Sequence, residues 1–263
     1  MGTRLVHIVV DANDPGRLAR FWAAALGWEV ADETPDEVDV WPAGFSYPDP
    51  VALPLVFVPV PEPKATTNRV HLDLATRSAG HQQSEVRRLI TLGATHADVG
   101  QGDVPWTVLA DPEGNEFCVL EPRPVYADTG PVAAVVTACA DPAALARFWE
   151  LAAGFTRVRS EDGFESLRSP AGSGPFLELL RVADAKTVKN RLHLDVRPPA
   201  GEDQAKEVAA LRAAGATPVD VGQGEVAWSV LADPEGNEFW RADSPMTDGV
   251  STHALITKDF RLI

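Results

Sequence analysis

Positive charge is in short supply in this chain: 23 lysines and arginines stand against 38 acidic residues, a formal net charge of −15. Such a balance argues against binding nucleic acid and against docking on anionic lipid. Cysteine is scarcer still. Cys118 and Cys139 are the only two, so no disulfide framework is available and a reducing compartment is expected. Long hydrophobic runs are missing as well. The longest, Val51–Val60, falls far short of a membrane span and is broken by Pro54 and Pro59. The opening MGTRLVHIVVDAND has no apolar segment followed by a small-residue cleavage site. These absences lead us to expect a cytoplasmic protein with no nucleic-acid and no membrane partner. No G-x-G-x-x-G follows a strand, and no P-loop, G-x-S-x-G or C-x-x-C pair occurs. Nucleotide cofactors and serine-hydrolase chemistry are thereby disfavoured.

What the chain does have, it has twice. DVGQGDVPWTVLADPEGNEF at Asp98–Phe117 returns as DVGQGEVAWSVLADPEGNEF at Asp220–Phe239. NRVHLD at Asn68–Asp73 returns as NRLHLD at Asn190–Asp195, and DPGRLARFW at Asp14–Trp22 as DPAALARFW at Asp141–Trp149. A period this long means two copies of a whole domain, not a solenoid. We place the copies at 1–124 and 130–243, joined by the Pro-containing linker Glu121–Gly130 and followed by a tail, 244–263, that has no counterpart in the first copy. Asp14 recurs 127 residues on, whereas Asp98 recurs 122 residues on. The first copy therefore carries five extra residues, which we assign to Val40–Pro50, where Trp41, Phe45 and Tyr47 sit.

Within each copy the local signals alternate between helix and runs of strands. Leu5–Ala12 is β-branched and apolar, the mark of a buried strand. Asp14 and Pro15 form an N-cap and first helical position, and Leu18, Phe21, Trp22 and Ala25 make one apolar face ending at Gly27. Asp141, Pro142, Leu145, Phe148, Trp149, Ala152 and Gly154 repeat the device. Val70, Leu72 and Leu74 alternate with Arg69, His71 and Asp73. Second helices are expected around Val86, Leu89 and Ile90, and around Val208, Leu211 and Ala214. Asp111-Pro112-Glu113-Gly114 carries the chemistry of a tight turn between two last strands. Each copy thus reads as two β-α-β-β-β modules, an α+β fold with curved, mostly antiparallel sheets around a cleft and helices outside.

DPxxLARFW, NRxHLDxxxR and VLADPEGNEF together resemble tandem glyoxalase-like domains of the vicinal oxygen chelate superfamily, the bleomycin-resistance and dihydroxybiphenyl dioxygenase group. The resemblance implies a cleft in which metal-dependent members place up to four ligands. Those positions fall on His7 and Ala134 of the first strands, on or near Val58 and Leu180, on His71 and His193, and on Cys118 and Trp240, where glyoxalases carry glutamate. Glu178 lies two residues from one of them.

So eroded a ligand set favours no resident metal. The alternative is a zinc, iron, nickel or manganese enzyme using His7, His71 and Cys118, a lyase, isomerase or dioxygenase. A third possibility is a structural module without a ligand. An Arg–Asp cross-pair around each histidine, Arg69 with Asp73 and Arg191 with Asp195, is a structural alternative for that strand pattern. The reading we favour is a small, hydrophobic or aromatic organic ligand, its site drawn from His7, His71, Asp73, His193, Asp195, Trp240, Trp41, Phe45 and Tyr47. Catalysis, and pairing within one chain or across a homodimer, stay open.

Overall fold

A computed structural model describes residues 4–46, 52–197, 204–221 and 229–241. Four modules follow one another along the chain. The first is β1 (Arg4–Ala12), α1 (Pro15–Leu26), β2 (Glu29–Glu33), β3 (Val38–Trp41) and β4 (Leu55–Pro59). The second is β5 (Val70–Leu74), α2 (Ala79–Leu92), β6 (Thr95–His96), β7 (Thr107–Ala110) and β8 (Glu116–Val119). After a 3-10 turn at Pro124–Tyr126 come β9 (Val132–Cys139), α3 (Pro142–Ala152), β10 (Thr156–Glu161), β11 (Phe164–Arg168) and β12 (Phe176–Arg181). The last module is β13 (Leu192–Arg197), α4 (Gln204–Ala213), β14 (Thr217–Pro218), β15 (Ser229–Ala232) and β16 (Glu238–Arg241).

These strands build two eight-stranded sheets, and each sheet takes one module from each copy. The first runs β14-β15-β16-β13-β1-β4-β3-β2 and the second β10-β11-β12-β9-β5-β8-β7-β6. The modules pair within the one chain, through the antiparallel contacts β1·β13 and β5·β9. Within each module the last strand lies parallel to the first, giving β1·β4, β5·β8, β9·β12 and β13·β16. The sheets are therefore mixed, antiparallel except for one pair per module.

Helix ends obey the local chemistry. Asp14 accepts from Arg17 N at 3.0 Å, Pro15 opens α1, and Gly27 closes it at φ 69°. In the second copy Asp141 accepts from Ala144 N at 3.0 Å. Leu18, Phe21, Trp22 and Ala25, and Leu145, Phe148, Trp149 and Ala152, are all buried. Each large side chain so removed from water contributes about 1.5–3 kcal/mol. The second helices sit more lightly: Leu89 is buried in α2, but Ile90 faces solvent, because the helix touches the sheet along a narrower stripe than its apolar pattern suggests. Val70, Leu72, Leu192 and Leu194 join the same core cluster as the buried residues of α1 and α3. Side chains alternate across a strand, so His71, Asp73, His193 and Asp195 face the other way.

Candidate functional site

The second sheet carries an open cavity on the face away from the helices. β5 places His71 and Asp73 two residues apart on that face, and the parallel register sets Cys118 of β8 beside Asp73. Val136 of β9 lies opposite His71, with Glu178 of β12 next to it and Ser166 of β11 beyond. Above this floor is a cavity of ≈ 940 Å³, with Trp106, Val108, Leu120, Phe164 and Leu180 in its walls. Two equivalent loops, 62–69 and 184–191, form its rim. Lys64 pins the first loop to Glu116 at 2.7 Å, and Lys186 pins the second to Glu238 at 2.5 Å.

Polar groups meet on the floor. His71 Nε2 stands 3.4 Å from Asp73 Oδ1. The donor atoms of His71, Asp73 and Cys118 all lie within 4.8 Å of one another. Burial, then the charge of Asp73 and a hydrogen bond to it, push the Cys118 thiol well above the usual thiol range. The segment between the copies also reaches in. Tyr126 donates its hydroxyl to Glu178 at 3.0 Å and packs edge-on against Phe176. The Arg123 guanidinium sits over both Trp106 and Tyr126, and Glu121 holds its Nε at 2.6 Å. Burial raises the Glu178 carboxyl above its ordinary range; Asp73 adds to this, while the bond from Tyr126 and the charge of Arg123 oppose it.

The equivalent face of the first sheet is organised differently. His7 of β1 lies opposite Asp195 of β13, with Nε2 2.5 Å from Oδ2. His193 Nε2 is 3.4 Å from Asp11 Oδ1, and Lys189 donates to the other oxygen of Asp11 at 2.6 Å. Burial works to raise Asp11, but His193 and Lys189 outweigh it and hold the carboxyl below its ordinary range. Trp240 of β16 stacks on His193 with centroids 5.6 Å apart and a 15° angle. Along the same face burial lifts Glu37 to about 7 and Asp39 to about 8; the charge of Asp32 adds to both and that of Glu37 adds to Asp39, only partly offset by Arg197.

The family model of the glyoxalase-like domain matches this chain twice, over residues 7–120 and 134–240. The chain belongs to the glyoxalase-like domain family. No curated protein matches it. Among solved structures, glyoxalase I from Zea mays superposes with a TM-score of 0.64 at 16% identity, covering 92% of this chain and 92% of that one. A candidate dioxygenase from Bacillus subtilis subsp. subtilis str. 168 gives 0.60 at 14% identity, covering 97% and 88%. At these identities the likeness is one of fold.

In this glyoxalase-like chain the structure separates residues that the sequence groups together. His71 and Asp73 line the cavity. His7, His193, Asp195 and Trp240 belong to the first sheet, because β1 pairs with β13 and not with β5. The ligand set His7, His71 and Cys118 is accordingly not brought together, and Asp73 stands where His7 was expected. Trp41 and Phe45 stack on each other at 5.9 Å and are not part of the cavity lining. Tyr47 and the tail 244–263 lie outside the described residues. Nor do the Arg–Asp cross-pairs form. Arg69 reaches past the end of its strand to the carbonyls of Asp184 and Ala138, and Arg191 to Glu62 O and the Glu113 carboxylate. Sequence reasoning missed Arg123 and Tyr126. The prolines around them mark a linker, and a lone tyrosine there was the one hint that the linker is anchored.

Proposed function

We propose that this protein binds a small organic molecule, largely apolar and aromatic in character, in the cavity of the second sheet, and that binding requires no metal ion. The observation that carries this reading is the ≈ 940 Å³ cavity, where Trp106, Val108, Leu120, Phe164 and Leu180 stand beside His71, Asp73 and Arg123 beneath a rim of polar and charged loop residues. Ligand sites of small molecules have that composition and size. Trp106 and Phe164 offer faces for a ring; Arg123, His71 and Asp73 offer orientation. Burying one ring yields about 1.5–3 kcal/mol, so several wall contacts together offset the cost of immobilising a ligand. Two free, buried cysteines support a cytoplasmic location as part of the proposal. No helix among the described residues is long and apolar enough to cross a membrane.

The test is titration of chelator-treated protein with a panel of aromatic compounds, followed by calorimetry and tryptophan fluorescence. Binding is expected at one site per chain, weakened at least tenfold by Val136→Phe, which fills the cavity floor. Binding indifferent to that substitution contradicts the proposal. A second reading, an enzyme of lyase, isomerase or dioxygenase type, is favoured by the grouping of His71, Asp73 and Cys118 on the floor; chemical change of a bound compound distinguishes it.

A further inference from the structure

We infer that a separate groove, on the helix side of the second sheet, binds a small organic oxyanion: a phosphate or carboxylate head on a short apolar body. The groove has a volume of ≈ 730 Å³ and lies where the end of α1, the first half of α2 and the linker between the copies meet. Leu74 of β5 and Val119 of β8 stand in its wall and belong to the core cluster that holds the buried residues of α1. Their chain neighbours Asp73 and Cys118 line the ligand cavity instead, because side chains alternate across a strand. Groove and cavity therefore open on opposite faces of one sheet, and Arg123 at its edge is common to both walls.

Three guanidinium groups, Arg77, Arg88 and Arg123, and the imidazole of His81 line the groove against one carboxylate, Glu85. Such a gathering of cations runs against the chain's formal net charge of −15. Arg88 is taken up by the fold: it donates to the carbonyls of Ala24 and Ala25 at 2.8 and 2.6 Å, at the end of α1, and to Glu85 at 2.6 Å. Glu121 answers the charge of Arg123 through its Nε, outside the terminal fork that clasps phosphates and carboxylates. Arg77 is unanswered. Only its backbone N–H is engaged among the described residues, donating to His81 Nδ1 at 3.1 Å. With Nδ1 accepting, the neutral imidazole carries its proton on Nε2. Glu85 Oε1 is 3.8 Å from that nitrogen, too far for a hydrogen bond. The groove thus offers one unmatched positive charge, a guanidinium fork and an imidazole N–H, the donor set an oxyanion requires.

The duplication contains its own control. At the 122-residue offset of the later repeat, Arg77, His81 and Arg88 correspond to Pro199, Asp203 and Ala210. Glu85, Leu89 and Gly93 return unchanged as Glu207, Leu211 and Gly215. The helix pattern is kept while every one of these cations is replaced by a neutral or acidic residue. The scaffold therefore does not need them, and the stoichiometry is one anion per chain and not two. Ala24, Pro124 and Pro131 join Leu74 and Val119 in the wall, which gives an apolar body something to bury against and makes the groove the size of a small-molecule site.

The groove is independent of the aromatic ligand proposed for the cavity, and aliphatic probes measure it separately. Full-length protein in low-salt buffer is titrated with butyl phosphate and with valerate, followed by calorimetry and by the arginine Nε–H signals of labelled protein. Saturation at one equivalent is expected, and the tighter of the two probes identifies the head group. Arg77→Gln should weaken binding at least about tenfold, the scale of one hydrogen bond to a charged group. Arg77→Lys should weaken it less, since the charge remains and the fork is lost. Arg87→Gln makes the same change of charge at an exposed position of α2 outside the groove and should leave binding unchanged. Far-ultraviolet circular dichroism confirms that each variant is folded. No saturable binding of either probe, or binding indifferent to Arg77→Gln, overturns the inference. Equal losses in Arg77→Gln and Arg87→Gln also overturn it, because they report a diffuse field and not a site. Each of these results leaves the organic-ligand proposal for the cavity standing.

Discussion

Trp22 donates its indole N–H to the buried carboxylate of Asp111 at 3.1 Å, across 89 residues of chain. Trp149 and Asp233 repeat the bond at 3.3 Å in the second copy. Asp111 Oδ1 also accepts from the backbone of Glu113 and Asn115, both at 2.9 Å, which shapes the DPEGN turn. Glu113, within that turn, caps the start of α1 by accepting from Asn13 N at 2.8 Å and Asp14 N at 2.7 Å, and it also holds Arg191. The most strongly repeated motif in the chain is thus a clamp between the first helix and the last hairpin of each copy. Its conservation between copies is explained by folding and not by chemistry at the cavity.

Removing the clamp should cost stability and little else. Asp111→Ala is expected to destabilise the protein by about 3 kcal/mol or more, since hydrogen bonds to charged groups contribute about 1.5–3 kcal/mol each. Trp22→Phe, which leaves one carboxylate oxygen short of a donor, should cost about 1–3 kcal/mol. Urea unfolding measures both. Aromatic-ligand affinity of the protein that stays folded should be unchanged.

The first-sheet histidines are predicted to be structural. His7 and Asp195 are both buried, and His7→Ala leaves that carboxylate without its counterpart. Leaving a buried carboxylate without its partner costs about 1–3 kcal/mol or more. Calorimetric unfolding should show that loss, while ligand affinity persists. Ligand binding lost with His7 in a protein that stays folded would return this residue to the functional set.

Stability should fall as pH rises from about 4 to about 8. Burial lifts Glu37 to about 7 and Asp39 to about 8, so both bind protons more tightly in the folded chain than in the unfolded one, where carboxyls titrate near 4. The favourable protonated state is therefore complete below about pH 4 and is lost as pH passes through the folded values. Above them the cost is constant. Glu37→Gln and Asp39→Asn should each flatten this limb of the unfolding free energy against pH. A slope that survives in the double variant would locate the titration elsewhere.

Tyr126→Phe should weaken both the linker and the floor of the cavity. It deprives buried Glu178 of its hydroxyl donor at 3.0 Å, which costs about 1–3 kcal/mol. Because that bond opposes the effect of burial, Glu178 should then hold its proton to still higher pH. Carboxyl-selective NMR titration of the labelled variant measures the direction.

Much of this fold is legible in the sequence because the signals are local. Asp14-Pro15, the Leu18–Ala25 stripe, the alternation of Val70, Leu72 and Leu74, and the Asp111–Gly114 turn each act within a few residues, and each takes the form its chemistry dictates. Strand partnership is not local. The first strands of the modules carry similar apolar patterns, so nothing in them states that β1 meets β13 while β9 meets β5. That pairing decides the site: it removes His7 from the neighbourhood of His71 and brings Val136 and Glu178 there instead. Asp73 was visible as a same-face neighbour of His71, but its contact with Cys118 depends on the parallel register of β5 and β8. Arg123 and Tyr126 act through tertiary packing of a segment whose prolines mark only a boundary.

The central claim is that the working site lies on the second sheet and not on its duplicate. A crystal structure of the metal-free protein soaked with the tightest-binding aromatic compound tests it most directly. The account predicts one molecule per chain, its ring near Trp106 and Phe164 and its polar end toward His71, Asp73 and Arg123. A molecule seated instead against His7, His193 and Trp240, or one on each sheet, would contradict it.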